Sequence, residues 1–349
     1  MINKEYGSDF HLCLEDEFLQ FGKETIFSDS KGFSLFFSGR STIYSLLKFG
    51  IENSGWKKVY FPGYYCHEVV QFIQKLPIEI NYYAFNPFLD TSETEINVED
   101  RPDNVVINVF FFGLSGLNLS KYKNIIVIED LTHNILAFKD SKADYCFGSL
   151  RKQLPLPCGG FCYSAAQKNL PGGQHSLKGE EIAWQKAAAM FFKREYLEGR
   201  FQQKEIFRNQ FIEAEKKFEE EFTNSEMPGI AKAIFSQLNI EGILEAKKKN
   251  LKLAFSLLKE NSKVIYHTAL ANENALGLLL KLTSFQDRER LKAFLISKNI
   301  FPAVLWPGQI EDRDIGIEKT VLFLHMDYRY NGEDIEYITN TLNQYLLNE

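Results

Sequence analysis

The sequence has no long hydrophobic run. No apolar stretch approaches the roughly 20 residues that a membrane-crossing helix needs, so no span is expected. The opening residues, Met1 to Tyr6, hold no apolar segment of the kind that marks a secretory leader, which predicts a soluble, cytoplasmic protein. Cysteine is scarce. The five thiols, Cys13, Cys66, Cys146, Cys158 and Cys162, lack the paired short spacings of a zinc site, and no metal is expected. An odd number in a chain of this size fits reduced thiols better than a disulfide framework. Charge of one sign is modest too: 40 Lys and Arg face 46 Asp and Glu, a net of -6. That balance gives no reason to expect nucleic acid or an anionic membrane as partner. Internal repeats and low-complexity segments are missing.

What is present is enough apolar surface for a large core. The chain has 349 residues, of which 45% are hydrophobic. Single cores rarely grow past roughly 250–300 residues, so one large and one smaller domain are expected. The aromatic share of 14%, mostly Phe, points to dense packing. Phe33 to Phe37 reads as a strand, followed by Ile43, Leu46 and Leu47 at helical spacing. Lys57 to Phe61 is a short strand, Pro62 a turn, and a helix runs on to Val70. Further strands are read at 77–84, 104–112, 124–128 and 161–163. The run from Asn104 to Phe112 is almost continuously apolar, as in a parallel strand buried on both faces. Strands alternating with helical stretches predict an α/β fold with a mostly parallel sheet. A long helical pattern covers 179–217, Met227-Pro228-Gly229 breaks it, and helix resumes over 230–259. From Ser262 the pattern becomes α+β: strands at 275–282, 300–306 and 321–327, helices at 287–298 and 331–347. The boundary is placed near Lys248, giving domains 1–248 and 249–349.

Three stretches carry chemistry. In the segment Ser149-Leu150-Arg151-Lys152-Gln153-Leu154-Pro155-Leu156-Pro157-Cys158-Gly159-Gly160, the prolines lack a backbone donor and push the residues before them to extended conformations. Lys152 is therefore expected on a stiff, non-helical loop, which suits an amine that must reach one carbon atom reproducibly. Ser38-Gly39-Arg40-Ser41 opens a helix after a strand. Unpaired N–H groups and the helix dipole favour an anion there, a phosphate above all. Glu129-Asp130 ends a strand, with His133 three residues on. Ligands of open α/β sheets bind beyond the carboxyl ends of strands, so this acidic pair is a site candidate.

Taken together and in this order, these segments resemble the pyridoxal-phosphate (PLP) aminotransferases of fold type I, most closely the DegT-type sugar aminotransferase family. That family's lysine segment reads roughly S-F-x-x-x-K-x-L-x-x-G-x-G-G, and Lys152, Leu154 and Gly159-Gly160 fall in register. Its E-D-x-x-[QH] motif falls on Asp130 and His133. Two departures stand out: Ser149 is closer to the lysine than usual, and Leu-Pro-Leu-Pro replaces a Thr- and Gly-containing run. The resemblance spans nearly the whole chain, down to His325-Met326-Asp327-Tyr328-Arg329-Tyr330 in the late strand.

The resemblance implies a fold-type-I large domain with a smaller α+β C-terminal domain. It implies that Lys152 binds PLP covalently and then serves as base and acid, with Asp130 at the pyridine nitrogen. His133 would meet the ring face or phenolic oxygen. Gly39, Arg40, Ser41 and Ser149 would hold the phosphate. Tyr64 or Tyr65, with Tyr65 preferred, would stack on the ring. The implied reaction moves an amino group from an amino-acid donor, glutamate or glutamine, to a keto acceptor. That acceptor would be a nucleotide-linked keto-sugar of surface-polysaccharide or related biosynthesis. A homodimer with shared active sites is implied, the loop at Gly172-Gly173 being a candidate to cross over. Arg151 and Trp306 are plausible substrate-side residues. Alternatives are a non-catalytic PLP-fold binding protein or a different PLP reaction such as sugar dehydration. The related sugar dehydratases carry histidine in place of the lysine, and Lys152 argues against them.

Overall fold

The computed structural model describes residues 4–20, 27, 32–88, 96–114, 116–218, 223–266 and 274–348. A two-residue strand β1 (Tyr6–Gly7) comes first, then β2 (Phe33–Phe36) and helix α1 (Gly39–Ser54). Ser38 starts α1 by accepting the Ser41 N–H on its hydroxyl at 3.1 Å, and Gly55 ends it in the left-handed region at φ 68°. There follow β3 (Lys58–Pro62), α2 (His67–Ile73), β4 (Glu79–Tyr83), β5 (Asn104–Val109), β6 (Ile126–Asp130), β7 (Tyr145–Ser149) and β8 (Gly160–Tyr163). Helices α3 (Leu177–Leu197), α4 (Lys204–Phe218), α5 (Gly229–Gln237) and α6 (Ile240–Leu257) lead to β9 (Val264–Tyr266) and β10 (Leu278–Leu282). The chain closes with α7 (Phe285–Ser297), β11 (Ile300–Phe301), α8 (Asp312–Thr320), β12 (Val321–Leu324) and α9 (Gly332–Asn348).

Among the described residues seven strands form the main sheet, in the order β2-β8-β7-β6-β5-β3-β4. The pairs from β7 to β4 are parallel; β8 runs antiparallel to both β7 and β2. All six residues of β5 are buried, as its apolar run requires. Register brings the C-terminal ends of β5, β6 and β7 side by side: Val109 pairs with Asp130, and Asp130 with Phe147. The expected mixed α/β fold with a mostly parallel sheet is what forms. A second sheet, β12-β10-β9, is antiparallel. Strand β1 pairs in parallel with β11, and Lys4 and Tyr6 both donate to the Asp334 carboxylate on α9, at 2.6 and 3.1 Å.

Several element boundaries differ from the sequence reading. The helical stretch at 179–217 is two helices, because Gly199 adopts a left-handed φ of 77° and the Glu195 carbonyl takes the N–H groups of Arg200 and Phe201. The stretch at 230–259 also divides, at Asn239, whose side chain caps α6 by accepting the Gly242 N–H at 3.0 Å. The strand expected at 300–306 is only two residues long; beyond it, Ala303 alone bridges Phe323. Helix α8 was not expected. The Lys152 segment is not wholly non-helical either: Leu150–Lys152 forms one 3₁₀ turn. It ends where Pro155 and Pro157 forbid continuation.

One close approach fixes how α1 meets the sheet. A Cβ at Gly160 would lie 2.5 Å from both the Ser38 carbonyl oxygen and the Thr42 hydroxyl. Gly160→Ala is therefore expected to push the first turn of α1 off β8. The expected loss is about 1–3 kcal/mol, the usual cost of overpacking a tight core, read as a lower urea midpoint.

Candidate active site

The ends of β5, β6 and β7 and the start of α1 enclose a cavity of about 350 Å³. Its lining includes Gly39, Arg40, Tyr65, Asp130, His133, Ser149 and Lys152, so seven of the eight residues expected from the sequence meet in one place. The eighth, Ser41, is buried one position deeper and does not line the cavity: its hydroxyl lies 3.1 Å from that of Ser38, the residue that faces the cavity instead. Gly39 matters because a Cβ there would lie 3.0 Å from the Ser149 Cβ. Without one, the ends of β7 and α1 close into a cradle. The first N–H groups of a helix have no partner within it, so this cradle presents donors and a positive dipole end. Arg40 lies beside it, 3.7 Å from Glu68.

Asp130 forms the floor. It is 5% exposed, and its oxygens accept from the Thr132 N–H at 3.0 Å and the Tyr65 hydroxyl at 2.6 Å. Burial pushes its pKa up, and the two hydrogen bonds pull it back. Glu129, its neighbour in the acidic pair, turns to the opposite face of the sheet, as alternation along a strand demands, and accepts from Ser141 at 2.5 Å. The Tyr65 hydroxyl is committed to Asp130. Cys66, one residue further from Pro62, lines the cavity as well.

His133 is buried and neutral. Burial first, then the charges of Lys152 and Lys247, lower its pKa to about 3. Its Nδ1 accepts the Phe112 N–H at 2.9 Å, so the ring proton sits on Nε2. The ring lies parallel to those of Phe112 and Trp306, with centroids 5.9 and 5.2 Å away. Trp306 arrives from the segment after β11, which is tied down by two groups. Tyr64 donates to the Leu305 carbonyl, and Gln309 donates to the Tyr65 carbonyl at 2.7 Å.

Lys152 is an exposed residue of the cavity wall. Loss of water around its amine within the cavity is the main influence and lowers the pKa; Arg151 adds to this, while Cys66 and Glu215 oppose it. The turn that carries it is braced from behind. Gln153 donates to the Thr132 carbonyl at 2.8 Å and accepts from the buried Lys247 ammonium on α6. Thr132 in turn accepts the Ser149 N–H at 3.1 Å. Thr132, Cys66 and Lys247 had not been singled out. Thr132 stands inside the Glu-Asp-x-x-His motif and was the one within reach of sequence reasoning.

A PLP cofactor fits these residues. A buried carboxylate whose two hydrogen-bond donors are neutral suits a protonated ring nitrogen. A cradle that a Cβ would fill suits a phosphate. An amine of lowered pKa in the wall of the same cavity suits an aldehyde.

No family model matches the chain, and no curated protein matches it in sequence. Solved structures do match in three dimensions. Helicobacter pylori PseC, an aminotransferase involved in the biosynthesis of pseudoaminic acid, superposes with a TM-score of 0.60 at 11% identity, covering 99% of this chain and 100% of that one. The putative sugar aminotransferase Spr1654 from Streptococcus pneumoniae, in its PMP form, gives 0.62 at 11% identity, with 99% and 100% covered. Sugar aminotransferase CalS13 from Micromonospora echinospora gives 0.57 at 10% identity, again over 99% and 100%. At such identities the likeness establishes architecture, and the chain accordingly has the fold-type-I fold of the PLP-dependent sugar aminotransferases to which it is similar.

Proposed function

We propose that this chain is a PLP-dependent aminotransferase that moves an amino group from an amino-acid donor to a nucleotide-linked keto-sugar. One observation carries the reading: a lysine of lowered pKa and a buried aspartate line the same cavity, beside a helix N-terminus, at the carboxyl edge of a parallel sheet. The likeness to sugar aminotransferases supports the sugar acceptor.

When bound, the cofactor supplies an aldehyde that takes up the amino group and a ring that withdraws electrons. The remaining work falls to the chain. Ser38, Gly39, Arg40 and Ser149 would hold the phosphate. Asp130 would keep a proton on the ring nitrogen, and Tyr65 and Thr132 fix its carboxylate in place. His133, its proton on Nε2, would be the donor available to the phenolic oxygen. Lys152, whose lowered pKa favours the neutral amine, would join the cofactor's aldehyde carbon with loss of water, and its Nζ would take and return a proton in the transfer. Val304, Leu305 and Trp306 form an apolar wall that keeps water from that exchange.

The test is direct. Purified protein given PLP should turn yellow, borohydride should fix the cofactor to the peptide containing Lys152, and glutamate should bleach the colour. A screen of nucleotide-linked keto-sugars then identifies the acceptor. A protein that takes up no PLP would point to a non-catalytic binding module. A coloured protein that no amino acid bleaches would point to another PLP reaction.

The division near residue 248, inside α6, and a homodimer belong to the same proposal. An exposed apolar stripe on α3 would suit the dimer. Leu177, Trp184 and Phe191 stand seven residues apart, hence on one side of the helix, and are 81%, 59% and 43% exposed. Trp184→Glu should shift the protein from dimer to monomer in light scattering. An unchanged mass would remove this face from consideration.

A further inference from the structure

Arg151, next to Lys152, holds a carboxylate in the way a substrate carboxylate is held. Its two terminal nitrogens donate to the two oxygens of Glu215 on α4, at 2.9 and 3.2 Å. The buried Lys186 of α3 also donates to this carboxylate. Both cations lie over the Phe218 ring, at 4.8 and 4.9 Å from its centroid. Burial alone would raise the Glu215 pKa, but Arg151 and Lys186 outweigh it and hold the carboxyl well below the usual range. Glu215 is therefore ionised throughout the working pH range. Two cations thus share one anion.

Position connects this cluster to the chemistry. Arg151 and Lys152 line both the main cavity and a second one of about 260 Å³ behind it. Glu215 lines the first and Lys186 the second. Within the cluster the Glu215 side chain is the most open to solvent, 38% against 15% for Arg151 and 4% for Lys186. It is the member most easily exchanged.

A two-substrate transfer at one lysine poses a physical problem. The amino-acid donor brings a carboxylate that needs a cation close to the reacting amine. The sugar acceptor brings none, and a guanidinium left bare in a partly buried site is costly. We propose that Arg151 anchors the donor's carboxylate and that Glu215 is its internal stand-in, filling the guanidinium fork whenever no carboxylate substrate is bound. This rests on the aminotransferase reading and goes beyond it by assigning the donor subsite. Lys186 retains Glu215 when the donor displaces it from Arg151, so no charge in the cluster is left without a partner at either stage.

Two measurements test this. Calorimetric titration of glutarate into the full chain needs no turnover and can be run with and without cofactor. Glu215→Gln, which weakens the competing ligand, should bind glutarate about tenfold more tightly than the natural chain. Arg151→Lys, which loses the fork, should bind it about tenfold more weakly. In the cofactor-loaded protein, the glutamate concentration that half-bleaches the colour should fall for Glu215→Gln and rise for Arg151→Lys. Thermal melting verifies that both variants are folded. Glutarate affinity unchanged in both folded variants would overturn the proposal, with or without cofactor. If the protein takes up no PLP, the aminotransferase reading fails, and the glutarate titration still decides whether Arg151 and Glu215 form an exchangeable carboxylate site.

Discussion

Replacing Lys152 by alanine should leave a folded protein that binds PLP without the visible band of the lysine-bound cofactor. Transfer should fall by at least about a thousandfold, since the change removes both the nucleophile and the proton carrier. The fold should survive because the turn is held by backbone and by Gln153, not by the Lys152 amine. Gln153 bonds the Thr132 carbonyl and the Lys247 ammonium, and Leu154 is completely buried. Absorbance, borohydride labelling and a thermal melt check the three parts separately. A variant that keeps the visible band and full activity would remove Lys152 from the chemistry. The cavity would then need another amine.

Breaking the ion pair of Asp327 and Arg329 should have the largest effect on stability. The guanidinium grips both carboxylate oxygens at 2.8 and 2.7 Å, and each side chain is 4% exposed. Arg329 also reaches the Asp9 carbonyl at 3.1 Å and lies over Phe10, 4.4 Å from its centroid, so it ties the N-terminal segment to the loop after β12. Arg329→Met leaves a buried carboxylate without its cation and should cost about 3–5 kcal/mol at neutral pH. The pH dependence has a definite sign. Burial raises the Asp327 pKa, but Arg329 and His325 more than offset this and hold it below its ordinary value. A group depressed by folding contributes stability above its unfolded pKa, and that contribution fades as pH falls toward the folded one. The natural chain should therefore lose stability as pH drops below about 4. In Arg329→Met that slope should flatten or reverse. Urea unfolding at several pH values measures both.

The parts of the site that could be read in advance are local in sequence. Pro155 and Pro157 announced a rigid segment around Lys152. Ser38-Gly39 announced a helix mouth, and Asp130 with His133 a strand end. These features depend on backbone chemistry within a few residues, and the sheet register then brings them together. What could not be read depends on distant partners. Nothing beside Arg151 in the sequence indicates Glu215 or Lys186, which lie on helices packed against it only in the folded chain. Tyr65 was legible as a site residue, but its bond to Asp130 was not, because that depends on where the Asp130 oxygen falls. The break between α3 and α4 was hidden by charged residues that suit a helix, Gly199 excepted.

The pairing of β1 with β11 has a consequence for synthesis. The first strand leaves the ribosome long before its partner exists, and the acceptor for Lys4 and Tyr6, Asp334, emerges later still. The segment carrying β1 must wait, unpaired, until β11 and α9 have been translated. A recombinant fragment containing only the last hundred residues would leave the Ile300–Phe301 edge open, and an edge of that kind invites association with other chains.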